Sequence, residues 1–286
     1  MRPDTQTRLV GVIGWPIEHS VSPPMHNAAF DALGLDWCYV PLPVHPQHLQ
    51  EAVEGIRALG LRGVNATVPH KQALTPLIDE LTPAAEVIGA VNTIVVEEVG
   101  LLGHNTDAAG FMRALREAGF SPNGCTALVL GAGGAAHAVV YALGRVAGRV
   151  VVLNRTPQRV HELVEGFQHR VPAQLEAGAL EAEALSVAAP EVDLVVNATP
   201  VGMWPQVDAS PWPEVVPFPA RAFCFDLVYN PRETRLMHKA RTGGAGASNG
   251  LGMLVHQGAE AFELWTGREA PVKVMYAACE RVLDKE

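Results

Sequence analysis

TALVLGAGGAA, residues 126–136, is the stretch on which the fold turns. Thr126 to Leu130 is a short apolar run of strand length, and Gly131, Gly133 and Ala136 follow at the spacing of a dinucleotide-binding fingerprint. Glycine at 131 allows the tight turn. Glycine at 133 lets the backbone approach a pyrophosphate, and a small residue at 136 lets helix and strand pack closely. The loop Gly131, Ala132, Gly133, Gly134, Ala135 is therefore the expected phosphate contact. Ala135 to Leu143 is apolar nearly all round and ends near Gly144 and Gly148, which predicts a buried helix with its free N–H groups aimed at the phosphates. Val150 to Leu153 reads as the next strand and completes a β-α-β unit.

The end of that second strand selects the cofactor. A binder of NAD usually carries Asp or Glu about 20 residues past the fingerprint, to hold the ribose 2′-hydroxyl. This chain has Asn154-Arg155-Thr156 there. Pro157 looks like a first helical residue after an N-cap at Thr156, which puts Arg159 in the first turn near Arg155. Two arginines can be a solvated face and nothing more. At this distance from the fingerprint they suit a 2′-phosphate, and NADP is the expected cofactor.

Cys125 to Gly144 contains no Asp, Glu, Lys or Arg and is long enough to span a bilayer. Its glycines, His137 in its middle and flanks without aromatic and basic anchors point instead to strand, turn and helix. The 286 residues suggest two domains of ordinary size. A formal charge of −9 with no basic block makes nucleic acid an unexpected partner. MRPDTQTRLV at the start lacks the apolar core of a signal peptide. Cys38, Cys125, Cys224 and Cys279 are far apart, which fits reduced thiols in the cytoplasm. His45 and His48 have no third ligand nearby, and no metal site is expected.

Before about residue 105, short apolar strands (9–13, 37–42, 63–68, 92–96) alternate with helical segments, an α/β unit without a fingerprint. From 126 to about 240 strands and helices alternate again, with 150–153, 192–197 and 223–228 as core strands of a parallel sheet. A glycine-rich run at 243–250 breaks the order. Leu251 to Trp265 is then a strong helix pattern ending at Gly267, and a hinge before this last helical pair suggests that the chain crosses back to the first domain.

A set of polar residues, Ser20, Ser22, Asn65, Thr67, Lys71, Asn92 and Asp107, precedes the fingerprint. Each has a structural reading. Ser22-Pro23-Pro24 resembles an N-cap followed by proline at the first helical position. Ser20 adds a second hydroxyl at that positive helix end, which suits a carboxylate. Lys71 after Pro69 reads as a surface charge, Asp107 as a cap for 108–115, and Asn65 and Asn92 as holders of strand-end backbone.

HSVSP (19–23), NATVPHK (65–71), GAVNT (89–93), NTD (105–107), GAGGA (131–135), NRT (154–156), NATPVGM (197–203), DLVYNP (226–231) and GLGMLVHQGAEAFELWTG (250–267) stand in this order along the chain. Together they resemble the shikimate dehydrogenase family over residues 9 to 267. The resemblance implies two α/β domains with a cleft between them: a substrate domain of residues 1–107 completed by 249–286, and a Rossmann-type NADP-binding domain of residues 108–248. It implies NADP-dependent, reversible reduction of 3-dehydroshikimate to shikimate, with Lys71 and Asp107 facing each other across the reacting carbon. Reducing a ketone requires a proton for the developing alkoxide, which an ammonium can donate while a carboxylate orients it. By the same resemblance Ser20 and Ser22 bind the substrate carboxylate. Asn65, Thr67, Asn92, Tyr229 and Gln257 join them around the ring, and Thr199, Leu227, Gly250 and Met253 lie beside the nicotinamide. The family commonly has Val, Phe, Gly and Arg where this chain has Ala66, His70, Ala108 and His137. A quinate/shikimate dehydrogenase and a non-catalytic NADP-binding sensor remain as alternatives, and a homodimer is left open.

Overall fold

The structure, a computed structural model, describes residues 3–285. The chain divides into two compact units, one formed by the chain up to Gly110 together with the segment from Leu254 on, the other by Phe111–Met253. The breaks fall a few residues past 107 and 248, inside helices.

The first unit is built on a six-stranded mixed sheet. In chain order it contains β1 (Arg8–Gly14), α1 (Ser22–Ala32), β2 (Trp37–Pro43), α2 (Leu49–Ala58), β3 (Gly63–Ala66), β4 (Glu80–Leu81), α3 (Pro83–Ile88), β5 (Thr93–Val96), β6 (Leu101–His104) and the start of α4 (Asp107–Glu117). The strand order is β2-β1-β3-β5-β6-β4. β1 pairs in parallel with β2 and β3, whereas β5 runs antiparallel to both β3 and β6. Asn65 near the end of β3 therefore faces Thr93 at the start of β5, which faces His104 at the end of β6. The segments after β1, after β3, before β5 and after β6 all leave from one end of the sheet, and these segments carry the polar set. Val53, Ile56, Val64, Ala85, Val91 and Ile94 belong to the apolar core under it.

The second unit contains β7 (Thr126–Leu130), α5 (Gly134–Gly144), β8 (Arg149–Asn154), α6 (Pro157–Phe167), β9 (Gln174–Ala179), α7 (Ala182–Ala188), β10 (Leu194–Asn197), β11 (Phe223–Asp226), α8 (Arg235–Thr242) and β12 (Gly246–Ser248). Its sheet is parallel throughout, in the order β12-β11-β10-β7-β8-β9. This is the doubly wound order 3-2-1-4-5-6 counted from β7, with its switch point between β7 and β10. The glycine-rich run that breaks the sequence pattern holds β12, an edge strand. A Cβ at Gly246 would lie 2.9 Å from the Phe223 ring, so lack of a side chain lets this strand sit against β11.

α9 (Leu251–Thr266) begins in the second unit and continues into the first, where α10 (Val272–Leu283) packs on α1. Trp265 Nε1 donates to the carbonyl of Ile94 at 3.0 Å. Only a glycine at 63 leaves room for that indole, since a Cβ there would stand 2.0 Å from Trp265 Nε1.

Candidate active site

α1 opens the polar end of the first unit. Its N-cap is Val21, not Ser22, and no side chain caps it. A cap at Ser22 would need the N–H of Pro24, which proline lacks, or that of Met25, which donates instead to the Val21 carbonyl at 3.2 Å. Ser22 is consequently released from the capping role expected of it. Its hydroxyl hydrogen-bonds to the phenol of Tyr39, and Ser20 Oγ accepts from Ser22 N at 3.3 Å.

From Tyr39 a chain of hydrogen bonds runs through the unit. The buried Tyr39 hydroxyl donates to Asn65 Oδ1 at 2.9 Å. Asn65 Nδ2 donates to the Asn92 carbonyl at 3.1 Å and to Thr93 Oγ1 at 2.9 Å. Asn92 Oδ1 accepts from Thr106 N at 2.7 Å, and Asn92 Nδ2 lies within reach of Thr106 Oγ1, Asp107 Oδ1 and Gln257 Oε1, at 2.9, 3.0 and 3.2 Å. Asp107 Oδ2 receives Lys71 Nζ at 2.6 Å. Both asparagines thus hold strand-end backbone as expected, and they also connect the serines to the lysine–aspartate pair.

Lys71 is no surface charge: its side chain is 15 % exposed, and that of Asp107 is 4 % exposed. Nor does Asp107 cap α4, because Asn105 Oδ1 accepts from Ala108 N at 3.3 Å and leaves the Asp107 carboxylate to Lys71 and Asn92. His70, beside the lysine, is buried and pairs its Nε2 with the Val44 carbonyl at 2.8 Å. Burial pushes its pKa below the ordinary value, so the ring is neutral at neutral pH and places no second cation next to Lys71. Thr67 N bonds to the Ile13 carbonyl, and its methyl lies against Gly14, where a Cβ would be 2.5 Å from it.

Gln257 reaches this network by a close crossing of helices. A Cβ at Gly110 would stand 2.7 Å from Gln257 N, so α4 and α9 touch backbone to backbone there. Tyr39, Thr93, Asn105, Thr106 and Gly110 were not among the residues singled out by the sequence. A glycine inside a helical pattern is a recognisable sign of close packing; Thr93, Asn105 and Thr106 lie in the motifs GAVNT and NTD without a role read for them, and Tyr39 lies outside every motif.

In the second unit the loop at 131–135 follows β7, and α5 starts at Gly134 with Gly133 as an N-cap that makes no side-chain hydrogen bond. A Cβ at Gly133 would meet nothing within 4 Å, and Gly131 has φ +113°, a conformation that favours glycine. Uncapped amides beside open space suit a dinucleotide pyrophosphate. Thr156 is the N-cap of α6 with its side chain unused, Pro157 is in the first turn, and Arg155 and Arg159 are exposed beside it. Asn154 Nδ2 bonds to the Thr156 carbonyl at 3.1 Å. No acidic side chain stands where a ribose 2′-hydroxyl would be read, so these residues fit a phosphorylated ribose. Ala198 and Thr199 pack on Gly131, and Gly250 sits on Leu227, where a Cβ would stand 2.0 Å from the carbonyl oxygen. Met253 is buried, and Tyr229 is half-buried. His137, on α5, turns its ring edge-on to Phe167 at 6.0 Å.

Among the described residues no helix is long and apolar enough to cross a membrane, and no cluster of three or more His, Cys, Asp or Glu could hold a metal ion.

Comparison with known proteins bears on this arrangement. A family model for the shikimate dehydrogenase substrate binding domain matches residues 12–94, one for shikimate / quinate 5-dehydrogenase matches residues 114–232, and one for the shikimate 5'-dehydrogenase C-terminal domain matches residues 250–280. The shikimate dehydrogenase (NADP(+)) of Methanopyrus kandleri is 47% identical over 277 residues, 96% of this chain and 96% of that protein. A solved shikimate dehydrogenase in complex with NADP+ aligns with TM-score 0.88 at 37% identity, covering 99% of this chain and 98% of the other. The shikimate 5-dehydrogenase of Thermus thermophilus, solved in complex with NADP(H) and shikimate, aligns with TM-score 0.85 at 40% identity, covering 97% of this chain and 100% of the other.

Proposed function

The chain belongs to the shikimate dehydrogenase family, and from that premise we propose that it reversibly reduces 3-dehydroshikimate to shikimate with NADPH, in the pathway to the aromatic amino acids. The observation that carries this reading is the Lys71–Asp107 pair, 2.6 Å apart and largely withdrawn from water, at the end of a network that also contains the serines.

The bound dinucleotide supplies the hydride. The remaining work falls to residues of this chain. As the ketone becomes an alkoxide, negative charge grows on its oxygen. An ammonium at that point stabilises the charge and delivers a proton from Nζ. Asp107 holds Lys71 in place through Oδ2 and is itself oriented by Asn92. The same carboxylate can accept from the hydroxyl next to the reacting carbon. Ser20 and Ser22, at the start of α1, suit the substrate carboxylate, where hydroxyl donors act together with the positive helix end. Asn65, Thr67, Asn92, Tyr229 and Gln257 complete the ring contacts in this reading. Gly131 to Ala135, with Asn154, Arg155, Thr156 and Arg159, would hold the dinucleotide, and Thr199, Leu227, Gly250 and Met253 would line its nicotinamide end.

A non-catalytic sensor would have no use for a shielded ammonium–carboxylate pair, and its presence supports the enzyme. Quinate, with one more hydroxyl at the carboxylate-bearing carbon, is the nearest alternative substrate. A cytoplasmic setting agrees with four cysteines that are all free thiols. The test is purified protein with shikimate or quinate, each with NADP⁺ or NAD⁺, followed at the nicotinamide absorbance. Turnover with shikimate and NADP⁺ is expected; no turnover with any pair overturns the enzyme reading.

A further inference from the structure

Asp226 ends β11, between β12 and β10 in the second unit's sheet, and is fully buried. A carboxylate there needs partners, and it has three. Asn197 Nδ2 donates to Oδ1 at 2.8 Å, Val228 N donates to Oδ1 at 3.0 Å, and Thr234 Oγ1 donates to Oδ2 at 2.7 Å. Each partner controls a different segment. Asn197 Oδ1 accepts from both Thr199 N, at 3.0 Å, and Thr199 Oγ1, at 2.6 Å, and Thr199 Oγ1 accepts from Val201 N at 3.2 Å. Thr234 Oγ1 also accepts from Met237 N and so caps α8. Val228 follows Leu227, whose carbonyl seats Gly250. A final tie joins the two loops directly, from Trp204 N to the Asn230 carbonyl at 3.0 Å.

The strands β7 and β10 flank the switch point of the doubly wound sheet, where ligands of such sheets bind. The loop after β10 packs on the loop after β7 through Ala198 and Thr199 against Gly131. One carboxylate therefore sets the positions of both loops that border the expected dinucleotide, without standing in contact with the phosphate loop itself.

We propose that Asp226 is a positioning residue for the dinucleotide: as a carboxylate it clamps the loops at 197–203 and 227–234 in the arrangement that receives the nicotinamide end, and protonation releases the clamp. The inference rests on the dehydrogenase reading. It deepens that reading by adding a switch to the cofactor site. The chemistry of the partners supports the switch. The Val228 and Asn197 groups are N–H donors with nothing to accept a proton, and Thr234 Oγ1 already accepts from Met237 N. A protonated Asp226 can donate only to the remaining lone pair of Thr234 Oγ1, which turns the Thr234 hydroxyl hydrogen off Oδ2 and leaves the other two donors without a charged acceptor. Burial raises the pKa of Asp226 to about 6 against the donors' opposing pull, which brings the change close to neutral pH. Among the described residues no cation is paired with it. The titratable group it acts on is the Cys224 thiol on the same strand, pushed well up by burial and by the charge of Asp226, while Arg241 of α8 pulls that thiol the other way. Asn197 of β10 and Thr234 before α8 are uncharged.

The experiment is calorimetric titration of NADP⁺ into the full chain between pH 5 and pH 8, for the unmodified protein, Asp226→Asn, Thr199→Val and Thr199→Ser. The 2′-phosphate of the dinucleotide titrates in the same range, but its contribution is common to all four proteins, so the differences between them isolate the carboxyl. The unmodified protein should lose about tenfold in affinity as pH falls through about 6, the loss of one such hydrogen-bonded group. Asp226→Asn, with a fixed donor facing donors, should bind about tenfold more weakly at pH 8 and lack that part of the pH dependence. Thr199→Val should bind more weakly at every pH yet keep the pH dependence, and Thr199→Ser should restore the affinity. If Asp226→Asn does not fold, NAD⁺, which lacks the 2′-phosphate, is titrated into the unmodified protein over the same range, and a pH-independent affinity for it overturns the clamp. Affinity independent of Asp226→Asn, or unchanged by Thr199→Val, overturns the clamp. Absence of NADP⁺ binding by the unmodified protein overturns the dehydrogenase reading itself.

Discussion

Lys71 Nζ and Asp107 Oδ2 are 2.6 Å apart across 36 residues of sequence, brought together because the turn after β3 and the start of α4 leave the same end of the first sheet. Shielding makes the pair interdependent. If Lys71 is the proton donor, Lys71→Met should lower kcat by about 10²–10⁴-fold with KM changed little, because the lost interaction belongs to the transition state. Asp107→Asn should also lower kcat. The double variant should lose far less than the product of the two, since residues that act as a unit are not additive. Steady-state kinetics on the three variants, with folding checked by circular dichroism, makes the comparison; wild-type turnover in Lys71→Met would remove the lysine from the mechanism.

Arg155 and Arg159 stand exposed beside the unused Thr156 hydroxyl at the start of α6. A charge-assisted hydrogen bond to phosphate contributes roughly 1.5–3 kcal/mol. NADP⁺ should accordingly be preferred over NAD⁺ by at least about tenfold in kcat/KM, and Arg155→Ala should reduce that preference while leaving NAD⁺ nearly unaffected. Equal losses for both cofactors would show that the arginine does not read the 2′-phosphate.

Gly110 offers a test in which two effects oppose each other. Inside a helix, Gly→Ala ordinarily stabilises by about 1 kcal/mol. Here the added Cβ would lie 2.7 Å from Gln257 N, a backbone atom that cannot swing aside. Overpacking of this kind costs about 1–3 kcal/mol and should win. Gly110→Ala should melt at a lower temperature, and its KM for shikimate should rise as Gln257 moves away from Asn92. A higher melting temperature with unchanged KM would mean that the helices are free to part there.

His26 provides a pH test. Its ring is fully buried, stacked on Tyr39 at 4.3 Å with planes 1° apart, and neither nitrogen has a hydrogen-bond partner. Burial lowers its pKa from 6.5 to about 3. Below 6.5 the unfolded chain takes up a proton that the folded one refuses, so this residue makes stability fall as pH drops toward 3, by up to about 1.4 kcal/mol per pH unit. Asp226 has the opposite sign, since its pKa rises on folding from 3.8 to about 6 and its ionisation weakens the fold as pH rises through that window. The two slopes offset each other between about pH 4 and 6. Urea unfolding of His26→Phe should uncover the Asp226 slope, with stability decreasing as pH rises there relative to the parent protein; parallel pH profiles would count against a buried neutral His26.

Much of this molecule is local in origin. TALVLGAGGAA carries its strand, turn and helix within eleven residues, because apolar run, glycine spacing and following helix are short-range properties of the chain. The absence of an acidic residue after β8 is local too, and so is the pattern of α9. The release of Ser22 from capping is only half local: Pro24 removes one donor, but Met25 N goes to the Val21 carbonyl only because the helix starts one residue earlier. Other features have no local mark. Two antiparallel pairings in the first sheet turn Asn65, Asn92 and Asp107 toward one end, and only strand order decides that. Tyr39 enters the network from β2, which β1 separates from the strand of Asn65, and Gln257 arrives from 165 residues beyond Asn92 through a crossing that Gly110 permits. Asp226 is one acidic residue in a strand until folding surrounds it with three donors. Hydrogen-bond partners and burial are properties of groups far apart in the chain. Residue types can announce what chemistry is available, but tertiary structure alone decides which groups meet and how little water is left between them.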